Sequence, residues 1–393
     1  MSGTGRLGTA SERDTRNSLL ASARRLVIKV GSTLLADKER GIVRRQWLDS
    51  LIDDVARMRR RGQEVIIVSS GAIAIGRRHL GLKDGDMRLE EKQAAAATGM
   101  VRLAHAYQES LTREGLTVAQ VLLTLEDSEN RRRYLNARNT LETLLRLGAV
   151  PLINENDTVA TDEIRFGDND RLAARVATMV TADTLVLLSD VDGLYTADPR
   201  QDLRATRIPE VLDVTPEIEA MAGGAGTPLG SGGMVTKIAA ARIALGAGCR
   251  MVLGDGTYNR PLRKLEDGAP CTWFLPRANP ITARKRWIAS ALKAAGSVTI
   301  DDGALKALKG GRSLLPVGVT AVTGRFERGD AIIIHDTRGR EVARGLSAYS
   351  AADAELIKGH KSTDIETLLG YRGREEMIHR DNLVVGASEE KQP

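Results

Sequence analysis

At 393 residues, 42% hydrophobic and 27% charged, the chain is long enough for two or three domains and is neither fibrous nor wholly disordered. Aromatic residues supply only 3%, so a core must be built from Ala, Val, Leu and Ile; the two cysteines, Cys249 and Cys271, exclude a disulfide framework and a Cys/His zinc cluster and fit a reducing cytoplasm. Of the net charge of +6, residues 1–25 carry +3, with five Arg against two acids, 281–370 carry +4, with fourteen basic against ten acidic residues, and 371–393 carry −1, which leaves 26–280 neutral and a poor nucleic-acid surface.

Residues 1–24 are polar and lack the apolar stretch of a secretory signal, while Glu12 and Asp14 speak against an organellar transit peptide; a disordered extension is expected. No run of ~18 apolar residues follows, so no membrane span is expected. Arg25-Leu26-Val27-Ile28-Lys29-Val30 reads as a strand closed by Gly31-Ser32-Thr33. From Arg44 to Arg61, Trp47, Leu48, Leu51, Ile52, Val55 and Met58 fall on one helical face, and Gly62 stops it. Further apolar strands are predicted from Glu64 to Val68, Thr117 to Leu123, Ala149 to Ile153, Thr184 to Leu188 and Arg250 to Leu253, with helices from Tyr134 to Leu147, Arg171 to Val180 and Ile238 to Leu245.

Strand and helix thus alternate, and the strands are apolar on both faces. That pattern predicts an α/β fold with an open, mainly parallel sheet sandwiched by helices. Polar residues gather just after the strands, in Ser69-Ser70-Gly71, Asn154-Glu155-Asn156-Asp157, Ser189-Asp190 and Gly254-Asp255. Ligands of such sheets bind beyond the carboxyl ends of the strands, so these clusters predict one site. From about residue 280 the pattern becomes short strands, Val298 to Ile300, Ala321-Val322, Ala331 to His335 and Glu341 to Gly345, broken by Gly310-Gly311 and Gly329-Asp330. A small β-rich C-terminal domain is expected there. The expected boundaries are 25–276 for the first domain, 277–286 for a linker, 287–373 for the small domain and 374–393 for a polar tail.

Three segments carry candidate chemistry. Gly223-Gly224-Ala225-Gly226 and Gly230-Ser231-Gly232-Gly233-Met234-Val235-Thr236-Lys237 precede a helix, where glycines let backbone N–H groups approach an anion. No Walker A string occurs, and a flexible surface loop is the alternative that composition leaves open. Lys29, inside an apolar run, is costly unless it reaches solvent at the strand end or an anionic partner, and Gly31-Ser32 beside it favours the anion. Asp168 or Asn169 could simply cap a helix. Together, however, Asn154-Glu155-Asn156-Asp157 and Gly167-Asp168-Asn169-Asp170 predict a polar site suited to binding an ammonium, orienting a lysine or helping to hold Mg²⁺ through phosphates. The five histidines have no ligand spacing, and Ser70 has no neighbouring histidine base, which argues against a hydrolase.

These segments, in this order, resemble the amino acid kinase family over about residues 25–275. The matching strings are Val27-Ile28-Lys29-Val30-Gly31-Ser32, Val68-Ser69-Ser70-Gly71-Ala72-Ile73, Leu135-Asn136-Ala137-Arg138, Ile153-Asn154-Glu155-Asn156-Asp157, Gly167-Asp168-Asn169-Asp170, Gly193-Leu194-Tyr195-Thr196-Ala197-Asp198-Pro199 and Gly232-Gly233-Met234-Val235-Thr236-Lys237. The Asn-Glu-Asn-Asp and Gly-Asp-Asn-Asp pair is most specific to members that phosphorylate free glutamate. Residues 283–373, with Arg284-Lys285-Arg286-Trp287-Ile288 and Ser313-Leu314-Leu315-Pro316, resemble a PUA domain. Ser189 and Ser231 stand where Thr is frequent, but both keep a hydroxyl; Gly31-Ser32-Thr33 permutes a more usual Gly-Thr-Ser.

The resemblance implies transfer of the ATP γ-phosphoryl group to the side-chain carboxylate of L-glutamate, giving L-glutamyl 5-phosphate, the first step of proline biosynthesis. It implies that Lys29 and Lys237 flank the phosphoryl group and that Asp170 holds them. Ser70, Asp157 and Asn169 are the implied glutamate-binding residues. Lys29, Ser189, Asp190, Ser231, Gly232, Gly233, Met234, Val235, Thr236 and Lys237 are the implied ATP-binding residues, with Mg²⁺ carried on the phosphates and no direct protein ligand. A carboxylate acceptor is already deprotonated at neutral pH, so no general base is required. The expected protein is a cytoplasmic homo-oligomer without membrane attachment, with proline as feedback inhibitor and RNA as a candidate partner of the PUA-like domain. The rivals are a relative acting on N-acetylglutamate, which would have no use for a carboxylate such as Asp157, and an RNA-binding protein.

Overall fold

In the computed structural model, which describes residues 18–37, 39–83, 85, 87–159, 169–223, 233–290 and 294–386, the apolar runs pair into one eight-stranded sheet. Its strands are β1 (Arg25–Val30), β2 (Glu64–Ser69), β3 (Val118–Leu123), β4 (Val150–Glu155), β5 (Thr184–Ser189), β6 (Glu210–Val211), β7 (Arg250–Asp255) and β8 (Cys271–Phe274), in the order β6-β8-β7-β5-β1-β2-β4-β3. Within this sheet, pairing is parallel except between β7 and β8. A parallel neighbour needs a crossover, and the crossovers are helical: α1 (Arg45–Arg60), α2 (Ala72–His79), α3 (Leu89–Arg113), α4 (Arg131–Arg146), α5 (Asn169–Met179) and α6 (Met234–Gly246). Helices on both faces explain why β4 and β5 are buried at every position and β1 and β2 at all but the first. The described residues divide into two compact units, 18–129 with 136–280, and 130–135 with 281–386.

Three expected boundaries differ from the structure. Residues 18–21 are helical, Leu20 and Ala23 are buried, and Gln63 Nε2 donates to Leu20 O and Ala23 O at 2.9 and 2.6 Å. Residues 18–24 therefore belong to the folded unit and not to a disordered extension; 1–17 lie outside the described residues. The expected linker is helical in Pro280–Ser290. The expected tail is structured to residue 386, because Met377, Ile378 and Leu383 are buried in the core of the second unit. That unit is a five-stranded sheet built from Gly296–Ile300, Val319–Gly324, Ala331–His335, Glu341–Leu346 and Leu383–Val385. No described helix is long and apolar enough to cross a membrane.

The sequence reading assigns no helix over 89–113, yet α3 is 25 residues long. It starts with the Glu91 carboxylate accepting the Arg88 N–H at 2.9 Å, and Glu90 and Glu91 favour the positive end of the helix dipole. Its packing face includes Ala95, Ala96 and Gly99, whose small side chains let α2 and α3 touch backbone to backbone. A Cβ on Gly76 would lie 1.8 Å from Ala95 O, and one on Gly99 1.8 Å from Ala72 O. Since α2 begins directly after Ser69-Ser70-Gly71, this contact fixes the helix behind one of the polar clusters. Gly99→Ala is expected to cost about 1–3 kcal/mol through overpacking. Urea unfolding followed by far-ultraviolet circular dichroism checks this; an unchanged midpoint would mean the helices are free to separate.

Candidate functional site

Parallel strands bring their carboxyl ends to one edge of the sheet. β1 ends at Val30, β2 at Ser69, β4 at Glu155, β5 at Ser189 and β7 at Asp255, so the polar clusters share that edge. Its centre is Asp170, the second residue of α5, which is 2% exposed. Lys29 Nζ from β1 lies 2.7 Å from Asp170 Oδ1, and Lys237 Nζ from α6 lies 3.3 Å from Oδ2. Thr236 Oγ1 is 2.8 Å from the same Oδ2 and also 2.8 Å from Gly233 O, so this hydroxyl ties the start of α6 to the carboxylate.

Burial alone would raise the Asp170 carboxyl. Lys29 and then Lys237, with hydrogen bonds from Lys29 and Thr236, outweigh it and hold the group down to about 2. Asp170 is therefore ionised at neutral pH. Both lysines are buried as well, so the trio carries one more positive than negative charge away from bulk water. Such an arrangement attracts an anion. No side chain caps α6 at Gly233, and a helix N-terminus favours the same kind of ligand.

A second group lies at the ends of β2 and β4. Asn169, next to Asp170, donates from Nδ2 to Ser70 Oγ at 2.9 Å. Its Oδ1 is buried with no hydrogen-bond partner among the described residues. Asp157 is buried, and desolvation followed by the neighbouring Glu155 carboxylate pushes it up to about 7. An unfilled amide acceptor and an uneasy carboxylate are groups that an ammonium donor would satisfy. On the strand neighbouring β1, Ser189 Oγ donates to Asp190 Oδ1 at 3.1 Å, and Gly31 N donates to Leu188 O at 3.2 Å.

The structure thus brings Lys29, Thr236 and Lys237 onto Asp170, and Ser70 onto Asn169. Ser189 and Asp190 end the adjacent strand. Gly233, Met234 and Val235 open α6, while Ser231 and Gly232 lie outside the described residues. Among the described residues no three His, Cys, Asp or Glu side chains converge to hold a metal ion. The tie from Thr236 to Asp170 is absent from the sequence pattern, because nothing in it pairs residues 66 positions apart. Tyr107, whose hydroxyl meets Ser69 Oγ at 3.2 Å, is likewise hidden, since it occupies an apolar row where leucine would read the same.

The sequence model of the amino acid kinase family matches residues 24–255, and that of the PUA domain matches 296–369. Similar proteins named glutamate 5-kinase include one from Paramagnetospirillum magneticum, 63% identical over 94% of this chain and 99% of its own. One from Rhodospirillum rubrum is 61% identical over 91% of this chain and 96% of its own. Another, from Agrobacterium fabrum, is 58% identical over 93% and 94%.

The Asp157 environment gives a pH signature. An ordinary aspartate ionises near 3.8, whereas Asp157 in the folded chain ionises near about 7. The unfolded chain therefore gives up this proton first, and the folded state loses stability as pH rises through that interval. Asp157→Asn removes that loss. Its thermal midpoint should gain on the parent as pH rises from about 4 to about 8, with the variant the more stable at the upper end. A difference that does not change with pH would contradict the assignment.

Proposed function

The chain belongs to the amino acid kinase family, and from that premise we propose that it transfers the γ-phosphoryl group of ATP to the side-chain carboxylate of L-glutamate. The product is L-glutamyl 5-phosphate, which opens proline biosynthesis. The observation that carries this reading is the Lys29–Asp170–Lys237 cluster at the carboxyl edge of the sheet. In phosphoryl transfer, charge spreads over the equatorial oxygens of the migrating group while the attacking and leaving oxygens stay in line. Two cations held on either side of one fixed carboxylate stabilise that charge without reorganising, and one such contact is worth on the order of 10²–10³ in rate.

The remaining residues take roles consistent with their chemistry. Asp157 and the free Oδ1 of Asn169 receive the α-ammonium of glutamate, and Ser70 contacts the same substrate. Lys29, Ser189 and Asp190, with the segment from Ser231 to Lys237, hold the nucleotide. Mg²⁺, carried on the nucleotide phosphates, would supply further charge neutralisation there. Proline carries an ammonium and a carboxylate like those of glutamate and would compete at the acceptor site. The acetylated nitrogen of N-acetylglutamate carries no positive charge to offer Asp157, which disfavours that acceptor.

An ATP-dependent hydroxamate assay with glutamate, N-acetylglutamate and aspartate side by side tests the reading. Glutamate should be the preferred acceptor by a wide margin. Activity with N-acetylglutamate alone would overturn the reading.

A further inference from the structure

The segment Ser69-Ser70-Gly71 is braced from behind by buried side chains. β2 and β4 pair at Ile67↔Leu152 and Val68↔Ile153, and the ladder ends there. Beyond it the strands part. Asn154 Nδ2 takes over as donor to the Ser69 carbonyl at 2.9 Å, and both residues are buried. The Ser69 side chain has a second anchor, since its Oγ donates to Tyr107 Oη at 3.2 Å.

Tyr107 is wholly buried, and it lies on α3 in a row with Ala96, Met100, Leu103 and Leu111, all buried and apolar. A phenylalanine would fill that space without burying a hydroxyl, and an unbonded buried hydroxyl is costly. Burial also keeps the phenol protonated, so it meets Ser69 as a neutral hydroxyl. One residue further on, Ser70 Oγ accepts from Asn169. Gly71, at φ 105°, then turns the chain into α2, a left-handed conformation that a side chain would oppose. Ser70 is thus suspended between an anchored Ser69 and a fixed turn.

We propose that Tyr107 is a positioning residue for the acceptor site, holding the Ser69-Ser70 segment in place through its hydroxyl. This rests on the reading above that Ser70 faces the acceptor. Its effect belongs to acceptor binding, because its hydroxyl meets Ser69, the neighbour of Ser70, at the end of β2, whereas Lys29, Asp170 and Lys237 gather from β1, α5 and α6.

Steady-state kinetics of the full chain and of Tyr107→Phe, Ser69→Ala and the double variant provide the test, with glutamate, N-acetylglutamate and aspartate as acceptors. Tyr107→Phe should raise the acceptor KM about threefold to tenfold, the range of one lost hydrogen bond. The kcat and the KM for ATP should stay within about twofold, and the double variant should be no worse than the poorer single variant. An unchanged acceptor KM would overturn the proposal. So would a double variant whose losses simply multiply, or an equal loss for both substrates accompanied by a lower thermal midpoint. If the parent turns over N-acetylglutamate alone, the glutamate reading falls, and the same comparison run on that acceptor still decides the role of Tyr107.

Discussion

One buried carboxylate shared by two lysines is the constraint around which the first unit is arranged. Asp170 would be expensive to ionise in its place without Lys29 and Lys237, and neither lysine would be tolerated there without it. The three come from β1, α5 and α6, so the cluster forms only when the parallel sheet has brought those elements together. An excess of positive charge follows from the ratio of two cations to one anion, and such an excess favours an anionic ligand.

The sheet supplies the geometry for this. Parallel strands deliver all their carboxyl ends to one edge, and the order β7-β5-β1-β2-β4 sets two kinds of residue side by side there. On one side of β1 stand Ser189 and Asp190; on the other stand Ser70, Asp157 and Asn154. Lys29, on β1, lies between the two sets, the place the proposed transfer requires. The close contact of Gly76 and Gly99 and the Tyr107 hydroxyl both bear on the Ser69-Ser70 segment, which the proposed acceptor site requires to be rigid.

Much of this was legible in the sequence, for definite reasons. Lys29 in an apolar strand and the paired Asn/Asp segments are locally improbable, and they become reasonable when brought to one edge. The strands over β1, β2, β4, β5 and β7 are continuous apolar runs, a strong signal in a parallel sheet. What stayed hidden depends on tertiary neighbours. α3 packs on α2 through Ala95, Ala96 and Gly99, and that contact between backbones, unlike its row of Met100, Leu103, Tyr107 and Leu111, leaves no apolar signal to read. Leu20 and Ala23 look like part of a polar extension until Gln63 is seen to receive them. Tyr107 and Thr236 matter through a single hydroxyl each, and a hydroxyl's partner cannot be inferred from spacing.

Asp170, in contact with both lysines, is the residue on which the proposed transfer depends most. Asp170→Asn keeps the size and removes the charge, so titration calorimetry with glutamate and with a nucleotide, combined with kcat, separates holding from binding. The kcat should fall by at least about a hundredfold, with affinity for glutamate changed far less. Near-parental turnover in Asp170→Asn would contradict it, because the lysines would then be placed without the carboxylate they share.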